Sequence, residues 1–206
     1  MGMGHRGFGL TPRRAVVVRV MARYVSFGYA LTYWEFGGLC ALMQAGGLEL
    51  GMTWTPRARG LESARLVPTL ERLEGVCFRG FLAHQLERPL RVERLALKQA
   101  QLLLGAHSEH RAFVLDVSRL MDGFESPYGV WLLARCWWLR AHEQLPWEHV
   151  GARLGCEARH FDAARARLER SARWSVLETL LKRLHSPGAD SKRDIASARA
   201  RLEGKS

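Results

Sequence analysis

The chain has 206 residues, 48% hydrophobic and 25% charged, with a net charge of +11 and a pI of about 10.4. That length is one domain's worth of chain, and those fractions exclude a mostly disordered chain, a collagen-like repeat and a coiled-coil rod. Four cysteines are too few for a disulfide-dense secreted scaffold.

A positive balance of this size points to a polyanion partner, nucleic acid first. Of the 31 basic residues only Lys98, Lys182, Lys192 and Lys205 are lysine, which leaves 27 arginines. Arginine is the better fork for phosphate and for guanine edges. Codon bias in a GC-rich genome is the blander source of that ratio, and the net charge stands either way. Cys40, Cys77, Cys136 and Cys156 form no CxxC and read as reduced, mostly buried thiols of a cytoplasmic protein.

Residues 1–51 differ in character from the rest. Residues 1–12 are glycine-rich and expected to be flexible. Residues 15–21 are a β-branched run, the one strand-like segment of the chain. Residues 24–50 are apolar enough to weigh as a membrane span, but Glu35, Gln44 and the glycines at 37, 38, 46 and 47 favour a buried or partner-covered segment. Residues 1–51 are therefore either an extension upstream of a natural start at Met52, or a small N-terminal subdomain or arm.

From Leu61 onward the pattern is helical. Leu66, Leu70, Leu73 and Cys77 make one stripe, with Pro68 near its start. A turn at Arg88-Pro89 precedes a leucine-rich helix that stops near Gly105. Ser108 opens a helix with Phe113, Val114, Val117, Leu120 and Met121 as its apolar face, ended by Asp122-Gly123. Ser126 and Pro127 are an N-cap and first-turn proline. The helix they start is apolar nearly all round and should be central. Its Trp131, Trp137 and Trp138 read as core more readily than as a stacking platform. Helices are expected over 147–154, 159–172 and 174–184, and a polar basic tail over 186–206.

The most informative stretch is residues 145–168. Trp147, Val150 and Leu154 make one buried face of a short helix. Gly151 gives room for a crossing helix, and Gly155 tolerates the positive φ of a tight turn. Cys156 plugs the corner, and Phe161, Ala164 and Leu168 point inward. That is a helix-turn-helix. Arg159, Ala163, Arg167 and Arg170 then form one outward stripe, at offsets of 0, 4, 8 and 11. Such a helix would read base edges with Arg159, His160, Ala163 and Arg167. Arg153, Arg165, Arg170 and Arg173 would hold phosphates. Glu157 and Asp162 would repel phosphate, accept from cytosine, or pair with Arg159 and Arg165.

On Trp147, Val150, Gly151, Leu154, Gly155, Cys156, Phe161 and Leu168, residues 126–184 resemble region 4 of bacterial sigma factors and the phage antitermination proteins of the Q class. The resemblance implies promoter recognition, or action near a late promoter together with RNA polymerase. No zinc-binding cysteine cluster and no sigma region 2 equivalent accompany it.

Other constellations are weak. His142, His149, Cys156 and His160 are soft ligand types on different faces, and His107 and His110 form a lone HxxH. No phosphate loop, nucleophile elbow or paired acid and base is present. The sequence thus predicts no metal, no cofactor, no catalytic residue and no enzyme. It predicts a mainly α helical bundle with a C-terminal helix-turn-helix: residues 1–51 uncertain, 52–125 helical, 126–185 DNA-binding, 186–206 a basic tail. The expected function is binding of double-stranded DNA in transcription control, in a phage or prophage, with RNA polymerase or a second copy as further partners and no membrane. The alternatives are a small terminase subunit and a protein-interaction module without DNA.

Overall fold

The computed structural model describes residues 9–171 and 173. Those residues are mostly helical, as the patterning predicts. The expected helix over 174–184, the tail and residues 1–8 lie outside the described residues.

The first helix, α1 (Pro12–Ser26), occupies the run expected to be strand-like. Thr11 caps it, its hydroxyl accepting from the Arg14 N–H at 3.3 Å, and Pro12 takes the first turn. Valine costs a few tenths of a kcal/mol against alanine in a helix, whereas burying it yields about 1.5–3 kcal/mol. With Val16, Val17, Val18 and Val20 all buried, burial wins.

The second helix, α2 (Tyr33–Ala45), starts with a capping box. The Thr32 hydroxyl accepts from the Trp34 N–H, and the Glu35 carboxylate accepts from the Thr32 N–H at 2.8 Å. Its two glycines are packing positions. A Cβ at Gly37 would stand 2.7 Å from the Leu61 carbonyl oxygen, and one at Gly38 2.8 Å from Val130 Cγ1. Together α1 and α2 supply much of the core, so residues 12–45 are integral to this fold. Among the described residues no helix is long and apolar enough to cross a membrane.

Four short strands follow where none was expected. Strands β1 (Thr55–Arg57) and β2 (Gly60–Glu62) pair antiparallel, Thr55 opposite Glu62 and Arg57 opposite Gly60. After α3 (Leu66–Leu73), β3 (Phe78–Arg79) pairs antiparallel with β4 (Arg91–Val92). Strands of two or three residues are too short to show the period-2 alternation that would reveal them. The loop before β1 is held by Gln44, whose amide donates to the Met52 carbonyl at 2.8 Å and accepts from the Met52 N–H at 3.0 Å.

Helices α4 (Arg94–Gly105) and α5 (Ser108–Met121) both pack on α1. The expected central helix is α6 (Pro127–Ala141). The Ser126 hydroxyl accepts from the Gly129 N–H at 3.0 Å, and α6 packs against α2 on one side and the C-terminal pair on the other. That pair is α7 (Trp147–Leu154) and α8 (Ala158–Arg170). Cys40, Cys77 and Cys136 are buried free thiols, and Cys156 is half-buried.

Candidate nucleic-acid interface

The α7–α8 pair has the geometry its spacing implies. Trp147 and Val150 are buried, and Leu154 packs partly exposed on the core. Gly155 ends α7 at φ +61°, a left-handed conformation that costs an L-residue about 1 kcal/mol. A Cβ at Gly151 would meet the Phe161 ring at 3.1 Å, so glycine sets how closely α8 crosses. Phe161, Ala164 and Leu168 all face inward.

The outward stripe of α8 divides in two. Near its start Ala163 is exposed, as is Arg153 on α7, and exposed Arg159 pairs with Glu157 at 2.8 Å. His160 is half-buried, its ring edge-on to Tyr128 with centroids 5.7 Å apart. Arg165 lies over the Trp147 ring at 5.8 Å and pairs with Glu169 at 3.1 Å, not with Asp162. Trp147 carries Arg140 at 5.1 Å as well, so this indole holds two guanidiniums.

Toward the end of α8 the arginines gather against α5. Arg167 donates to the Arg119 carbonyl at 2.5 Å and stands 4.0 Å from the Asp122 carboxylate. Arg173 pairs with Asp116 at 2.9 Å, donates to the Gly46 carbonyl at 3.4 Å, and covers the Phe113 ring at 4.6 Å. Arg170 remains exposed, bonded to the Ala166 carbonyl of its own helix. Between the two helices lies an open cleft of about 420 Å³, lined by Asp116, Arg119, Leu120, Arg167, Arg170, Ser171 and Arg173. Four guanidiniums thus face one carboxylate on its wall.

Arg119 and Asp116 are the members that local spacing does not reveal. They sit 48 and 57 residues from their partners Arg167 and Arg173. On their own helix they form an ordinary exposed i, i+3 pair. The expected contact residues therefore separate into an exposed set (Arg153, Arg159, Ala163, Arg170) and a half-buried set packed against other elements (His160, Arg165, Arg167, Arg173). Among the described residues, no three His, Cys, Asp or Glu side chains gather closely enough to hold a metal ion.

No family model matches the chain. It is 29% identical over 175 residues to the DNA ADP-ribosyl glycohydrolase of Thermus aquaticus, across 84% of this chain and 48% of that protein. It is 28% identical over 157 residues to the DNA ADP-ribosyl glycohydrolases of Mycobacterium bovis and Mycobacterium tuberculosis, across 68% of this chain and 44% of each. The chain spans about half the length of the curated relatives it matches.

These likenesses overturn the expected function. The relatives are named as hydrolases, not as Q-class antitermination proteins, sigma factors, packaging subunits or interaction modules without DNA. The assignments to phage transcription control and to no enzyme class are corrected accordingly, and RNA polymerase as a partner rested on the same resemblance. The physical reason lies in the matched residues. Trp147, Val150, Gly151, Phe161 and Leu168 are packing positions of two crossing helices. Any protein using that crossing needs similar residues there, whatever it does.

Proposed function

We propose that this chain takes part in removing ADP-ribose from DNA, the activity its relatives' names state, and that the α5–α8 cleft holds the DNA backbone meanwhile. The reaction is a hydrolysis. Water cleaves the bond between ribose and DNA, its hydroxyl going to the ribose and its proton to the DNA.

The observation that carries this reading is the gathering of Arg119, Arg167, Arg170 and Arg173 around one open cleft. Arginine forks are suited to phosphate oxygens, and releasing counterions from the backbone drives such contacts. Arg159 lies eleven residues before Arg170 on the same helix, about 16 Å along its axis. Exposed Arg153 and Arg159 are suited to further phosphates on that path. A net charge of +11 adds long-range attraction for DNA.

The test uses the full chain and an oligonucleotide carrying ADP-ribose. Release of free ADP-ribose is followed by chromatography, and binding by fluorescence anisotropy at two salt concentrations. The reading expects release above the protein-free control, with binding that weakens steeply as salt rises. It expects both to fall in the Arg119→Ala/Arg170→Ala variant. Binding lost in that variant, without release by the parent chain, would keep the cleft and withdraw the hydrolysis. Binding indifferent to both salt and the variant would withdraw the cleft.

A further inference from the structure

A second hollow, sharing no residue with the arginine cleft, opens between α1, α2 and α3 and encloses about 230 Å³. Its floor is apolar, formed by Val17, Val18, Phe36, Cys40, Leu73 and Phe78. Its edge is cationic, with Arg13, Arg14 and Arg72 against one carboxylate, Glu49. Glu49 is engaged by Arg13 at 2.6 Å. Exposed Arg72 donates to the Pro68 carbonyl at 3.1 Å and to the Thr69 hydroxyl at 3.5 Å. Both acceptors are neutral, so these bonds orient the guanidinium without cancelling its charge.

A mostly apolar hollow with a few charged groups at its mouth has the composition of a small-molecule site. The two halves of this one ask for different things. An inorganic anion would meet the arginines and leave the floor wet. A neutral hydrocarbon would fill the floor and leave the Arg72 guanidinium with its neutral acceptors alone. A molecule with an apolar body and one anionic group at its end satisfies both. The volume is below that of sites for drug-sized ligands, which start at about 300 Å³, so the body is a single small ring system.

We propose that the hollow between α1, α2 and α3 binds a small organic anion, an apolar ring system bearing one phosphate or carboxylate that meets the rim arginines. The phosphate and carboxylate forms share one recognition chemistry, and the probes separate them.

The test is calorimetric titration of the full chain with 1-naphthyl phosphate, 1-naphthoate, 1-naphthol and inorganic phosphate. At least one of the two naphthyl anions is expected to bind saturably at one per chain, well ahead of naphthol and of inorganic phosphate. Arg72→Glu, a change at an exposed position, should weaken that binding at least about tenfold through loss of a charge-assisted bond. Val18→Phe fills the floor and should abolish binding in a chain whose thermal unfolding is still cooperative. The proposal falls if neither naphthyl anion binds, if naphthol binds equally well, or if Arg72→Glu leaves the affinity unchanged.

Discussion

Helices α2 and α8 are each 13 residues long, yet nine residues of α2 are buried and only three of α8. α2 is enclosed by neighbours and uses glycine where a strand and another helix approach it. α8 lies along the surface and presents arginines to solvent and to α5. A helix with one dry face advertises it through its period, whereas a helix dry all round has no period to read. The molecule thus encloses the helix with the plainest sequence and lines its four-arginine cleft with the helix whose period is clearest.

The strongest way to break this contrast is to remove the enclosed half. A chain starting at Met52 lacks both α1 and α2, and should lose cooperative thermal unfolding and most of its helical circular dichroism. The loss exceeds the whole stability of an ordinary domain, about 5–15 kcal/mol. A Met52 chain that melts sharply would show the scaffold to lie elsewhere.

Two glycines then sharpen it. At Gly37 the nearest obstacle to a methyl group is a backbone oxygen, and at Gly151 it is the edge of an aromatic ring. The Gly37→Ala variant should be destabilised by about 1–3 kcal/mol in urea titration, as overpacking against a fixed partner is. Gly151→Ala should cost less, because its Cβ would meet a side chain at 3.1 Å and not a backbone oxygen at 2.7 Å. Equal costs would mean that α8 is held as rigidly as α2.

Alkaline pH tests the enclosed core next. Burial raises the Cys40 thiol and pushes Cys136 up to about 12 from an ordinary 9.0. The unfolded chain loses these protons first, so the folded state holds more of them as pH climbs. The stability they contribute is complete below pH 9 and is lost as pH rises toward about 12. Each such thiol contributes a slope of up to about 1.4 kcal/mol per pH unit. Denaturant titration at pH 8, 9.5 and 10.5 checks this, and Cys136→Ala should show a shallower fall. An identical slope in that variant would remove Cys136 from the account.

The smallest effect on stability belongs to the cleft. Arg119→Ala and Arg170→Ala should each leave stability within about 0.5 kcal/mol, since both side chains are exposed. Each should lower the salt dependence of DNA binding by about one phosphate's worth. Arg173→Ala differs, because Arg173 also covers Phe113 and joins Asp116 to Gly46. Its loss should lower the melting temperature visibly. Matching behaviour of all three would erase the distinction between binding and bracing arginines.

Legibility in the sequence follows the same division. Ser126 with Pro127 marks the start of α6, and residues 147–154 are helical to the residue. Thr11 with Pro12, and Thr32 with Glu35, are equally good start signals. A valine run that suggests strand and an apolar stretch without period mask them. The positions facing into the α7–α8 crossing were legible because they are local. The cleft is half legible: Arg167 and Arg170 follow from α8's period, whereas Arg173 stands beyond the helix end and joins Arg119 and Asp116 through tertiary packing. The hollow between α1, α2 and α3 left no trace in any local pattern, because it belongs to none of its walls singly.

Gln44 shapes a loop to which it does not belong. One side chain here takes the part of a neighbouring strand, offering the Met52 backbone a donor and an acceptor at once. Asparagine is one methylene shorter, glutamate would set oxygen against oxygen, and leucine would abandon both backbone groups. The loop's path is thus written partly in a residue outside it, beside the positive φ of Gly47 and Gly51 and the buried Leu48 within it. A sequence that keeps glycine at 47 and 51 but lacks the amide at 44 leaves the Met52 N–H and carbonyl to find other partners, and the loop loses its tie to α2.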